Sequence, residues 1–251
     1  MRSDNGIEIN KSISEKRVTI SRQGIEICRE GRPLSFEKQS IKSDFVFVVD
    51  TTGSMNDKII GLMKTCQEFA QSVAQRNIDY RMGIVAFGDL TISPPDKIFR
   101  FPLIKDAHRI SKAFEEILNK YRTSGGGNTG ESSIDALWEA VEGLKFRQGA
   151  IKVLLLFTDE PPLDPDTRQR TMNYTITEFE RRQILCFCIT IPDARFKRLA
   201  KETGGNWFLI SQDVNFLSIL DQLFARVIEK VEEIALKLPP CSIKPVIENN
   251  G

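Results

Sequence analysis

A chain of 251 residues is long enough to bury the core of one full α/β domain and to carry appendages besides. Its 41% hydrophobic and 27% charged residues match ordinary soluble globular proteins, which argues against disorder and against a membrane class, and a net charge of +1 removes any global electrostatic case for a nucleic-acid partner. No leader-like segment and no apolar run of membrane-spanning length stands out, and five cysteines in a chain of this size are poor material for a disulfide framework, so reduced thiols and a cytoplasmic setting are the expectation.

Residues 1–43 begin polar and turn β-like at Arg17-Val18-Thr19-Ile20 and Ile25-Glu26-Ile27-Cys28, with Gly24 and Gly31 as breaks. This predicts two or three short strands, too few to fold alone. Next, Phe45-Val46-Phe47-Val48-Val49 reads as a buried strand, and it runs directly into Asp50-Thr51-Thr52-Gly53-Ser54, an acid and hydroxyls at the strand's end. From Met55 to about Gln75, Ile59, Leu62, Cys66, Phe69 and Val73 recur at spacings of three and four, the apolar face of a helix. Tyr80 to Phe87 is the following strand. The prolines between 94 and 102 place the short strand Ile98 to Phe101 at a sheet edge. A helix is predicted over Ile110 to Tyr121. The glycine-rich run Ser124-Gly125-Gly126-Gly127-Asn128-Thr129-Gly130-Glu131 then opens a helix from about Ser132 to Leu144.

A second wholly apolar strand, Lys152 to Thr158, also ends on an acid, Asp159. A proline-containing loop leads to a helix expected over Thr167 to Gln183. The strand around Cys186 and Cys188 follows, with both thiols on one face as small core residues. A short helix over Phe196 to Thr203, a strand over Trp207 to Ile210 and a long helix from about Val214 to Lys237 complete the pattern. Pro239-Pro240 stops that helix, and residues 238–251 form a tail that could pair with the N-terminal strands. Strands that alternate with helices and are apolar throughout imply a mainly parallel sheet covered on both faces. Right-handed crossovers collect the strand-to-helix loops on one edge, where Asp50, Thr129 and Asp159 can converge.

Taken together, Asp50-x-Thr52-x-Ser54, Thr129 after the glycine-rich loop and Asp159 after the fourth core strand resemble the metal-ion-dependent adhesion site of von Willebrand factor A domains. The resemblance covers about Asp44 to Lys237. Thr52 stands where that family most often has Ser, which keeps a hydroxyl, and Glu160 stands where a glycine is common. The resemblance implies a three-layer α/β/α Rossmann-like fold whose central sheet is mainly parallel with one antiparallel edge strand. Residues 1–43 become a β-rich appendage, 44–237 the domain and 238–251 the tail. It implies that Thr52, Ser54 and Thr129 coordinate a divalent cation, Thr129 directly or through water, with Asp50 and Asp159 acting mostly through bound waters. It further implies a non-enzymatic module that binds a Glu or Asp carboxylate of a partner protein, an ATPase or chaperone-like assembly by analogy with cytoplasmic relatives, and a closing helix able to shift, as in integrin relatives.

The chemistry agrees with that implication. Two carboxylates neutralise a divalent ion while hydroxyls fill places without adding charge, so Mg²⁺ is expected first, then Mn²⁺ or Ca²⁺. Plainer readings exist for each part: Thr52 and Ser54 as helix caps, and Asp159 as a turn residue before Pro161. A sharper rival is a haloacid-dehalogenase-like phosphotransferase with Asp50 as nucleophile and Lys152 as phosphate clamp. There is no P-loop lysine, and the single histidine, His108, gives little support to a hydrolase triad.

Overall fold

The computed structural model describes residues 40–93, 95–121, 130–210 and 216–237, together with the backbone of three N-terminal strands. Those strands, β1 (Lys16–Ser21), β2 (Gly24–Arg29) and β3 (Arg32–Leu34), form an antiparallel sheet in the order β1-β2-β3, as the sequence pattern predicts. The expected pairing of the C-terminal tail with them lies outside the described residues. Residues 40–237 fall within a separate compact unit.

That unit is built on a six-stranded sheet ordered β6-β5-β4-β7-β8-β9. Its strands are β4 (Ile41–Asp50), β5 (Ile78–Phe87), β6 (Phe99–Ile104), β7 (Ile151–Thr158), β8 (Ile184–Thr190) and β9 (Trp207–Leu209). All neighbours run parallel except β5 and β6, so the proline-flanked segment is the antiparallel edge. The central strands are apolar on both faces because both faces are covered. Phe45, Phe47 and Val49 of β4 pack with helices α1 (Asn56–Gln75), α2 (Ala107–Lys120) and α6 (Phe216–Lys237). Val46 and Val48 pack on the other side with α3 (Ser133–Gly143), α4 (Met172–Arg181) and α5 (Ala194–Glu202). The three-layer α/β/α arrangement therefore stands as expected.

Helix α6 docks closely enough on α1 that the Phe69 and Phe224 rings stack at 4.2 Å. Gly61 makes room for it, since a Cβ there would meet the Phe216 ring at 2.8 Å. Cys186 and Cys188 are buried free thiols in the second core layer, on one strand face as predicted.

Several boundaries shift by two or three residues, with α2 starting at Ala107 and β6 running to Ile104, and one shifts further. The helix predicted from Thr167 begins only at Met172. The intervening segment folds around two carboxylates: Asp166 accepts the backbone N–H groups of Arg168 and Arg170, and Asp164 accepts that of Met172. Acid side chains here take the Arg170 and Met172 N–H groups, which a helix begun at Thr167 would have bonded to its own carbonyls, and Thr171 then caps α4 through the Tyr174 N–H. The predicted start of the last helix near Val214 lies outside the described residues, where α6 is first seen at Phe216.

Candidate metal centre

The C-terminal edge of the sheet gathers the loops that follow β4, β5 and β7. After β4 the chain makes a short 3-10 turn, Gly53–Met55, before entering α1. Thr51 ties this loop to the neighbouring strand end, with both its N–H and its hydroxyl donating to the Phe87 carbonyl at 2.8 Å. Neither Thr52 at the start of the turn nor Met55 at the start of α1 makes a side-chain capping bond, so the hydroxyls of this loop are not spent on the helix. They converge sideways instead. The Thr52 and Ser54 hydroxyls lie 3.3 Å apart, and Ser54 donates to Asp159 Oδ1 at 3.0 Å across from the end of β7.

Asp50 is fully buried and held at both oxygens. The Thr52 N–H donates to Oδ1 at 2.9 Å, and the Thr158 hydroxyl donates to Oδ2 at 2.7 Å. Burial nonetheless pushes its carboxyl up to about 6, with the neighbouring Asp159 adding to the effect and the Thr52 and Thr158 bonds opposing it. Four of the five predicted ligand residues, Asp50, Thr52, Ser54 and Asp159, are thus brought to one locus. The fifth, Thr129, lies outside the described residues.

Two residues that sequence reasoning passed over stand at the same edge. Gly130, with φ of +118°, turns the chain into Glu131, and a side chain at Gly130 would press on the Pro161 carbonyl at 3.2 Å. The Glu131 backbone is clamped to the loop after β7, receiving Leu163 N–H at 2.9 Å and donating to Pro161 at 2.9 Å. Its side chain is 2% exposed, and Oε2 has no hydrogen-bond partner. Burial first, and then the charges of Asp50, Asp89, Asp96 and Glu160, push its carboxyl up to about 8. Glu131 sits inside the glycine-rich stretch, where it reads as a helix opener; the signal for more was an acid two residues beyond a candidate ligand. The second residue is Lys58, 8% exposed, whose Nζ donates to the Ser54 carbonyl at 2.9 Å and lies 4.0 Å from Asp159 Oδ2. Its placement four residues after Ser54 on a helix is the spacing that would have revealed it.

Among the described residues no group of three or more His, Cys, Asp and Glu side chains is arranged as a metal cage. A donor set that mixes hydroxyls with two acids is a different kind of site. Beside that set, Asn56 Oδ1, Asp89 Oδ2 and Glu131 Oε2 are buried without a hydrogen bond in or next to these loops, and a hard cation is a partner that suits such oxygens.

The comparison that decides the family is with sequence profiles: the profile described as von Willebrand factor type A domain matches residues 44–223. The chain belongs to the von Willebrand factor type A domain family. The fold agrees, since this VWA domain resembles the crystal structure of the SpRpn10 VWA domain with a TM-score of 0.54. The match covers 72% of this chain and 94% of that one at 12% identity, a likeness of fold alone. No curated protein matches the chain. The boundary at residue 44 falls inside β4, within the buried part of the strand that delivers Asp50.

The VWA frame also tests the phosphotransferase reading against geometry. Lys152, the proposed phosphate clamp, pairs in register with Asp44 at the start of β4, the opposite edge from Asp50, and its Nζ donates to the Arg182 carbonyl at 3.4 Å. His108 is exposed in the first turn of α2. No helix among the described residues is long and apolar enough to cross a membrane.

Proposed function

We propose that this VWA domain is a metal-dependent protein-binding module whose Asp50 edge holds one divalent cation, Mg²⁺ in preference to Mn²⁺ or Ca²⁺. The observation that carries the reading is that the Thr52 and Ser54 hydroxyls turn away from helix capping and towards each other, and that Ser54 reaches on to Asp159. Thr52, Ser54 and Thr129 supply neutral oxygens, and Asp50 and Asp159 supply the countercharge. A cation held by such a set offers one coordination position to a further hard oxygen, which suits a Glu or Asp carboxylate of a partner protein. Thr158 and the Thr52 N–H fix the Asp50 carboxylate, so this acid orients bound water and does not itself move. Residues 44–237 form the binding domain in this reading, with residues 1–43 and 238–251 as appendages. The reduced thiols Cys66, Cys186 and Cys188 suit a cytoplasmic setting, and an ATPase or chaperone-like assembly is a partner class that fits.

Calorimetric titration of metal-free protein with Mg²⁺ or Mn²⁺ tests this directly. One site is expected in the wild type and none in Asp50→Ala; equal binding by the two proteins would remove the site. Affinity capture in Mg²⁺ against chelator is expected to show a partner that is retained only with metal. The phosphotransferase reading loses support because both Asp50 oxygens already accept hydrogen bonds and the side chain is fully buried. A phosphoryl adduct on Asp50 after incubation with acetyl phosphate would reverse that preference.

A further inference from the structure

Lys58 is an unusual neighbour for a cation site. A lysine this buried is tolerated when its ammonium is hydrogen-bonded or paired. Here the bond goes to the Ser54 carbonyl at 2.9 Å and the pairing to Asp159 at 4.0 Å, the outer limit of an ion pair. Both partners belong to residues assigned to the cation, Ser54 by its hydroxyl and Asp159 by its carboxylate. The Ser54 hydroxyl in turn donates to the other Asp159 oxygen at 3.0 Å. Ammonium, serine and aspartate therefore form a closed triangle of contacts on the flank of the site, and the ion pair with Lys58 is the one Asp159 makes among the described residues.

We infer that Lys58 is a tethered competitor of the divalent cation, a fixed positive charge that shares Ser54 and Asp159 with the metal and sets how much free metal is needed to fill the site. The inference rests on the metal-site reading above and concerns its regulation. Without metal, the ammonium partly neutralises Asp159 and anchors the turn through Ser54, so the loop keeps its shape. With metal, two positive charges face the same carboxylate in a partly buried place, where salt screens poorly and repulsion acts directly on affinity. A lysine four residues after the last hydroxyl of the loop thus makes occupancy respond to cation concentration and keeps the site from being permanently filled.

A purely structural role predicts the reverse, because losing the bond to the Ser54 carbonyl would loosen the loop and weaken metal binding. Mn²⁺ and Tb³⁺ titrations of the full chain at matched ionic strength separate the two, using wild type, Lys58→Gln, Lys58→Met and Lys58→Arg, with metal-free melting to confirm that each variant is folded. The expected result is at least tenfold tighter Mn²⁺ binding in Lys58→Gln and Lys58→Met and a change within about twofold in Lys58→Arg, tenfold being about 1.4 kcal/mol. The gain for Tb³⁺ should exceed that for Mn²⁺, because repulsion scales with ionic charge. Unchanged or weaker Mn²⁺ binding in both neutral variants overturns the inference. Asp50→Ala is titrated alongside. If it binds as wild type does, the metal-site reading fails and takes the Lys58 inference with it. If it loses binding while the neutral Lys58 variants gain nothing, only the Lys58 inference fails.

Discussion

Asp44 lies in the N-terminal half of strand β4 and Asp50 ends it, and both side chains are completely buried, yet the domain treats them in opposite ways. At the N-terminal end, Asp44 receives four bonds. Arg81 donates through Nε at 3.1 Å and Nη2 at 2.7 Å, and Arg147 donates through its backbone N–H at 2.8 Å and its Nε at 2.9 Å. Burial pushes the Asp44 carboxyl up, but the two guanidinium groups outweigh it and hold the group below the usual carboxylate range. At the C-terminal end, Asp50 has two neutral donors and no base, and beside it lie Asp159 and the orphaned Glu131. A saturated acid is a structural rivet; the underserved one stands where the proposed cation would act.

The largest expected effect falls on the saturated end. Asp44→Ala takes from Arg81 its paired carboxylate and leaves Arg147 with Asp79 alone, and should destabilise the domain by roughly 3–5 kcal/mol in denaturant unfolding. Asp50→Asn removes a charge that the metal-free fold holds at a cost, and should leave stability unchanged or raise it. Should the two variants lose equal stability, the contrast between the ends is wrong. Next in size is the response to metal. Mg²⁺ at a hundredfold its dissociation constant should stabilise the wild type by about 2.7 kcal/mol. Asp50→Asn and Asp50→Ala should show no such gain, while a conservative Arg81→Lys change at the far end should leave the metal-dependent increment intact even as it lowers the baseline. An increment that persisted in both Asp50 variants would place the metal elsewhere.

The same contrast explains what could be read in the sequence and what could not. The strands were legible because β4 and β7 are apolar at every central position, a pattern that only a sheet covered on both faces requires. The locus of Asp50, Thr52, Ser54 and Asp159 was legible because parallel strands put their C-terminal loops on one edge whatever lies between them. Charges that act across elements were not. Arg147 lies in a loop 103 residues from Asp44, and no periodicity links them. Glu131 was hidden because its role depends on the burial and neighbouring acids that the fold brings to it, and Lys58 because a lysine early in a helix ordinarily faces solvent. The late start of α4 was missed for a local reason: Asp164 and Asp166 compete with the helix for backbone donors, and helix propensity cannot register that competition.

Stability should also depend on pH, with opposite sign at the two ends. Asp44 has a folded value below its ordinary 3.8, so the stability it contributes is present above that value and is lost as pH falls through the lower, folded one. Asp50 and Glu131 are raised, Asp50 from 3.8 to about 6 and Glu131 from 4.5 to about 8. Between its unfolded and folded values each binds more protons in the folded state than in the unfolded one, so metal-free stability should decline as pH rises from about 4 to about 8. Chemical denaturation across that range should therefore slope downward in chelator. Saturating Mg²⁺ favours the ionised carboxylates and should flatten or invert the slope. Asp50→Asn should remove the part of the decline that ends near 6, and Glu131→Gln the part that runs on towards 8. A metal-free profile that rises from 4 to 8 would mean that the acids at the Asp50 edge are already neutralised within the fold, and that this end of β4 is another rivet.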